Sequence, residues 1–306
     1  MDSKPWAVGR GPWAEDRDRK YHVCVFLKRK TEGSIVCPSC GVLVGVNDAR
    51  CDNCGRRNPG MWGYAPALRA LGQDLGFTPL VVGATITLYV LSLLLSRSSI
   101  QALLSPSTEI LFLLGASGAV PVVVYGRWWT FLTAGWLHAG PLHVLFNVLW
   151  IRQLAPAVAD LYGPGRMIVI YTVAGVFGFA LSTLAGVYLA NAPFFLRGAS
   201  FTVGASAPIF GLLGALVYHG RRTGSSHTSQ AGLQYALFLG VFGLIFPGVD
   251  NYAHAGGFAG GYLAGLMLDP LKPERVDHMI MAVVCLLVTA IALGASFITA
   301  LPLLLA

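Results

Sequence analysis

The sequence predicts an all-α polytopic membrane protein that carries a small cysteine-built domain ahead of its first span. Three observations carry that expectation. The 306 residues are 55% hydrophobic and only 11% charged, with 37 glycines, far from the balance of a soluble globular domain. Seven apolar runs follow one another from residue 77 onward, each near the roughly 20 residues that cross about 30 Å of hydrocarbon. Ahead of them, four of the chain's six cysteines stand in two CxxC pairs.

Taken in order, residues 1–33 are polar, mixed in charge and without a sustained period, which predicts a flexible tail. Residues 34–60 hold Cys37-Pro-Ser-Cys40, ten further residues, and then Cys51-Asp-Asn-Cys54-Gly. Each CxxC places two sulfurs on a tight knuckle, and two knuckles supply the tetrahedral thiolate set that zinc takes at about 2.3 Å per bond. Disulfides are the competing arrangement, and a cytosolic setting, where thiols stay reduced, disfavours them. A segment this short with few apolar side chains needs the metal to fold. The zinc-ribbon-like module is therefore structural, with Cys37, Cys40, Cys51 and Cys54 filling every coordination position. It suits either a protein partner or a cap on the cytoplasmic end of the bundle. Cys24 and Cys285 stand alone, and residues 61–78 read as a linker.

The apolar runs fall near 79–96, 140–156, 167–190, 205–219, 231–247, 252–268 and 279–303. The fourth, fifth and sixth are short, which predicts shelter inside a bundle. Twelve of the 21 lysines and arginines lie within residues 1–69, so the net charge of +7 is mostly a terminal feature. Beside a membrane span, the positive-inside rule accounts for it. No nucleic-acid motif accompanies it, and none of its partners is expected to be a nucleic acid. With the N-terminus cytoplasmic, the inner connections carry Arg152, Arg166, Arg221, Arg222, Lys272 and Arg275, against Arg97, Arg127 and Arg197 outside. No secretory signal or transit peptide is visible, which points to a bacterial inner membrane. The first outer connection, 97–139, is long enough to be functional in itself, and its Trp-flanked apolar pieces suit the interface.

Ionisable and amide side chains within spans are costly and mark function. His143 and Asn147 lie four residues apart at the start of the second span, on one helical face. Ser206 stands in the first turn of the fourth span, followed by Pro208, which is tolerated there because its missing N–H is not needed. His254 lies early in the sixth. All three spans begin on the outer side, so these four groups sit at similar depth. Gly211 and Gly214 on the fourth span, with Gly257, Gly261 and Gly265 on the sixth, give small faces that let helices approach closely. Taken singly, each polar residue has a plainer use: a serine bonding back to its own helix, a histidine such as His138 on a carbonyl, an asparagine joining helices. Their joint occurrence at one depth is what points to a site.

His143-xxx-Asn147, Gly204-Ala-Ser206 and Ala253-His254-Ala-Gly-Gly257-xxx-Gly261, with Arg127-Trp128 in the first outer connection, resemble the rhomboid intramembrane serine proteases. The resemblance covers roughly residues 77–270. It implies a six-helix catalytic domain over 79–270, extended by an extra C-terminal transmembrane helix over 271–306. It implies Ser206 as nucleophile, His254 as general base and then acid, and His143 with Asn147 stabilising the oxyanion. No cofactor for catalysis is implied. The substrates would be transmembrane proteins, cleaved within the lipid bilayer. Since the dyad has no acidic member, His254 would be oriented by packing or by a neutral group such as Tyr171 or Tyr252. The family pattern places glycine after the serine, where this chain has Ala207-Pro208. An inactive rhomboid-like scaffold that binds membrane proteins is the alternative, though such proteins usually lose the serine or the histidine and this chain keeps both.

Overall fold

A computed structural model describes residues 29–38, 40–96, 104–193, 196–246 and 248–305. Cys24, Arg97 and most of the N-terminal tail lie outside the described residues. Among the described residues, a two-stranded antiparallel sheet, β1 (Ser34–Val36) and β2 (Leu43–Gly45), comes first. A 3₁₀ turn at Met61–Gly63 and the short α1 (Ala65–Arg69) follow. The Lys30 amide donates to the Gly63 carbonyl at 2.9 Å, tying the chain ahead of the sheet to the turn behind it.

Among the described residues, seven long helices come next: α2 (Phe77–Leu95), α5 (Pro141–Tyr162), α6 (Pro164–Tyr188), α7 (Ser206–Thr223), α8 (Ser226–Ile245), α9 (Asn251–Met267) and α10 (Val276–Leu305). Between α2 and α5 lie the shorter α3 (Thr108–Leu114) and α4 (Thr130–Thr133). Each of the seven expected spans is a helix, and the protein is a multi-pass membrane protein. Among the described residues, α2, α5, α6, α8 and α10 are long and apolar enough to cross a membrane by themselves.

The centre of the bundle is α6, α7 and α9. Thirteen of the residues of α7 are buried, from Ala207 to Gly220, so its modest hydropathy is no obstacle: protein surrounds it on most sides. The expectation of shelter holds for α7 and α9 but fails for α8. Only 17% of the apolar window of α8 is buried, against 61% for α6, and Leu237, Phe238 and Leu244 face outward. Its short run is a flank helix, not a core one.

Glycine lets α7 and α9 meet backbone to backbone. A Cβ on Gly261 would stand 2.0 Å from the Gly211 carbonyl oxygen, and one on Gly214 would stand 2.2 Å from that of Phe258. Such approach replaces side-chain interdigitation with direct van der Waals contact between helices. α5 runs on to Tyr162, through Pro156, so Arg152 lies within this helix and not in a connection.

The long connection is folded against the bundle instead of lying free at an interface. Arg127 is buried, its guanidinium donating to the carbonyls of Phe112 and, at 2.9 Å, Leu113, with the Phe112 ring 4.7 Å away. Trp129 donates its indole N–H to the Ser296 hydroxyl of α10 at 3.1 Å. Trp128 remains exposed, as expected of an interfacial ring.

Candidate active site

The segment that leads into α7 is pinned to the long connection. Ser117 and Thr202 exchange backbone hydrogen bonds of 3.0 and 2.8 Å, and the Gly204 amide donates to the Ala134 carbonyl at 2.9 Å. Gly204 sits at φ +131°, and a Cβ there would lie 2.5 Å from His143 Nε2. Glycine is thus required twice, by the backbone and by the imidazole that crowds it.

Ser206 is the first residue of α7 and is half-buried. The first intrahelical bond runs from the Ile209 amide to the Ala205 carbonyl at 3.0 Å, so the Ser206 and Ala207 amides stand ahead of the ladder, where helices leave donors for other partners. Pro208 falls in the same turn and has no N–H to lose. Ala207 lies within the helix without positive φ, and a Cβ on Gly257 would stand 2.1 Å from its carbonyl oxygen. Alanine after the serine is therefore accommodated by ordinary helical backbone.

His254 is the fourth residue of α9, is 7% exposed, and stacks on Phe210 with centroids 4.1 Å apart and planes 11° apart. Phe210 is four residues past Ser206, one turn along the same face, so the imidazole lies over the face of α7 that carries the serine. Among the described residues, His254 Nδ1 is buried without a hydrogen-bond partner. Neither tyrosine considered from the sequence orients it: Tyr171 packs edge-on to Phe77 at 5.1 Å, and Tyr252 donates to the Leu196 carbonyl at 2.9 Å. Packing on Phe210 takes that place, and Phe210 carried no signal in the sequence beyond its i+4 spacing from Ser206.

His143, the third residue of α5, reaches Gly204 from the other side and meets His138 edge to face, with ring centroids 4.8 Å apart. His138 is fully buried, and its Nε2 accepts from the Ala205 amide at 3.4 Å. It is a buried wall of the site and not an interfacial residue. Asn147 is buried, and its Nδ2 donates to the His143 carbonyl at 2.8 Å. One of its two amide hydrogens is thereby occupied on its own helix. The structure thus gathers His138, His143, Gly204 to Ser206, Phe210 and His254 around one helix start, with Asn147 one turn behind His143.

A profile of the Rhomboid domain matches residues 125–271, which take in all of these residues. The chain is 34% identical over 171 residues to RHOMBOID-like protein 7 of Arabidopsis thaliana, covering 54% of this chain and 51% of that protein. It is 30% identical over 190 residues to rhomboid protease GluP of Bacillus subtilis, covering 61% of this chain and 35% of that protein. The chain contains a rhomboid domain. Its match spans about half of the plant relative and about a third of the bacterial one.

Ahead of the rhomboid domain the four cysteines form one cluster, their sulfurs within 4.8 Å of one another. Two knuckles of like geometry build it. Gly41 and Gly55 donate back to the carbonyls of Cys37 and Cys51 at 3.0 and 2.8 Å, while the Cys37 and Cys51 amides donate to Val42 and Arg56 at 2.7 and 2.9 Å. Sulfur separations of 3.8 Å for Cys37–Cys54 and 3.6 Å for Cys40–Cys51 fit the edge of about 3.8 Å that a tetrahedron of 2.3 Å bonds requires. Hydrogen bonds from the Val42 amide and from Asn53 lower the Cys40 thiol to about 6, and burial raises Cys54 to about 12.

The module meets the rhomboid domain through Glu274, in the α9–α10 connection. Arg56 Nη1 donates to its carbonyl at 3.4 Å, and its carboxylate accepts from the Arg166 amide at 3.1 Å. Arg166 in turn donates to the carbonyls of Leu268, Asp269 and Lys272 at 2.9 to 3.0 Å, closing off the end of α9. Burial pushes the Glu274 carboxyl up, with the Arg166 amide and the charges of Arg166 and Arg56 acting against it. Gly163 and Gly165 make room, since a Cβ on Gly163 would stand 2.5 Å from the Glu274 carboxyl carbon.

Proposed function

We propose that the protein is an intramembrane serine endopeptidase that hydrolyses peptide bonds of transmembrane substrates. The observation that carries this reading is the stack of His254 on Phe210, one turn from Ser206 on the same face of α7. A serine hydroxyl becomes nucleophilic when an adjacent base accepts its proton. Ser206 Oγ attacks the scissile carbonyl while His254 takes its proton, and the carbonyl π electrons move onto oxygen. The oxyanion is met by the Ser206 amide, the His143 ring and the remaining Asn147 amide hydrogen. Loss of one such donor typically costs about 10² to 10³ in rate. His254 then returns its proton to the leaving amine, and water, deprotonated by the same ring, releases the acyl group from Ser206.

The four cysteines hold one structural zinc ion, whose tetrahedral valence they fill. Residues 34–60 form this module and 79–270 the catalytic domain, with the C-terminal helix an addition to it. The N-terminus is cytoplasmic, supported by Arg166, Arg221, Arg222, Lys272 and Arg275 at the end of the bundle away from Ser206. Cleavage then takes place toward the outer face, where a helix-breaking stretch in the substrate can unwind. Reconstituted protein should cleave a model transmembrane substrate, and Ser206→Ala or His254→Ala should each abolish cleavage; persistent cleavage in either variant would remove the assignment.

A further inference from the structure

Among the described residues, Nδ1 of the proposed base has no hydrogen-bond partner, so beyond the stack on Phe210 its position is set by the helix that bears it. That helix begins at one carboxylate. Asp250 is the N-cap of α9: its Oδ1 accepts from the Ala253 amide at 3.0 Å, and its backbone carbonyl accepts from the amide of His254 itself at 3.1 Å. Its other oxygen, Oδ2, accepts from the hydroxyl of Ser182. Ser182 lies on α6 and is fully buried, so this bond fixes the first turn of α9 to a rigid neighbour.

Glycine contacts extend the same seam: a Cβ on Gly178 of α6 would stand 2.6 Å from the Ala253 carbonyl oxygen, and one on Gly256 would stand 2.7 Å from that of Phe177. These contacts set the distance between α6 and α9, while the Asp250–Ser182 bond sets how far α9 slides and turns along it. Sequence alone left no acid for this part of the site, because Asp250 precedes the apolar run and its use is visible only in three dimensions.

We propose that Asp250 is the positioning residue for His254, acting through the first turn of α9 and the Ser182 hydroxyl instead of through the imidazole. The proposal rests on the Ser206–His254 reading above. A side-chain oxygen is what the cap requires, and asparagine supplies it as well as aspartate does. A base displaced by a fraction of an ångström loses rate because the near-attack geometry is lost, not because substrate binds less.

Full-length wild type, Asp250→Ala, Asp250→Asn and Ser182→Ala are compared in one detergent, by steady-state cleavage of one transmembrane substrate and by amide hydrogen exchange in the first turn of α9. In Asp250→Ala, kcat should fall between about tenfold and about a hundredfold while KM stays within about twofold, and exchange at Ala253 should rise. Asp250→Asn should regain most of the lost kcat, and Ser182→Ala should fall between the two. Unchanged kcat in Asp250→Ala, a loss confined to KM, or an Asp250→Asn as slow as the alanine variant would overturn the proposal. Should Asp250→Ala fail to fold, Ser182→Ala decides, since wild-type kcat there would overturn it too. Wild type without Ser206-dependent cleavage would sink the protease reading instead, and the exchange measurement would still show whether Asp250 holds α9.

Discussion

The two ends of the bundle are built by opposite means. Around Ser206 the geometry comes mostly from absence: glycines bring α7 and α9 to backbone contact, and rings fill the remaining space as His254 on Phe210 and His143 against His138. At the other end the geometry comes from charge and sulfur. Glu274 lies between groups of Arg56 and Arg166, Arg166 holds three carbonyls at the end of α9, and four thiols gather ahead of them. One helix, α9, runs between the two ends, with Asp250 at its start and Arg166 at its finish. The difference teaches that one bundle can be held by two means: close backbone approach and ring packing around Ser206, with the Asp250 carboxylate engaged by its own helix start and Ser182, and ionic and thiol groups at the other end.

The contrast predicts effects of decreasing size. Gly261→Leu drives a side chain into the Gly211 backbone, which α7 cannot yield without losing its packing on α6. It should cost more than the roughly 3 kcal/mol of ordinary overpacking and prevent recovery of folded protein. Gly294→Leu on α10, where a Cβ meets nothing within 4 Å, should leave thermal unfolding unchanged; equal behaviour of the two would break the backbone-contact account. Next, Arg166→Ala leaves three carbonyls at the end of α9 without their donor, while the backbone amide still serves the Glu274 carboxylate, and should lower stability by about 1 to 3 kcal/mol in thermal or denaturant unfolding.

Smaller effects separate the ends. Metal analysis should find one zinc per chain in the wild type and none in Cys54→Ser, whose β1–β2 module should unfold, yet cleavage should change by no more than about threefold, because the module and Ser206 share no partner. A tenfold loss of cleavage would mean that the two ends are coupled through α9. Smallest is Phe210→Leu, which keeps apolar contact but removes a ring stack of about 0.5 to 1.5 kcal/mol. It should slow cleavage by about three- to tenfold while the melting temperature moves little.

The sequence made the site end legible because its signals are single residues at helical spacing. Ser206, His254, His143, Asn147 and the glycines of the fourth and sixth spans all fell where the periodicity placed them. What it hid were relations across the fold. Phe210 looks like any core ring until His254 is seen upon it, and His138 looked interfacial because its partner, the Ala205 amide, is 67 residues away. Asp250 lay outside the apolar run that defines its helix. At the other end, Arg166 was read as a topogenic charge, whereas its buried guanidinium closes a helix. The shelter expected for the fifth span failed because a short apolar run fits a flank helix as well as a core one. The CxxC pairs were legible for the opposite reason, since their chemistry is local and complete within eighteen residues.

The central claim, that His254 activates Ser206, is tested most directly by covalent labelling with a fluorophosphonate followed by peptide mass spectrometry. Wild type should carry one adduct, on Ser206, and His254→Ala should slow labelling by at least about a hundredfold while its melting temperature stays close to that of the wild type. An adduct on another residue, or labelling of Ser206 at an undiminished rate in His254→Ala, would contradict the account.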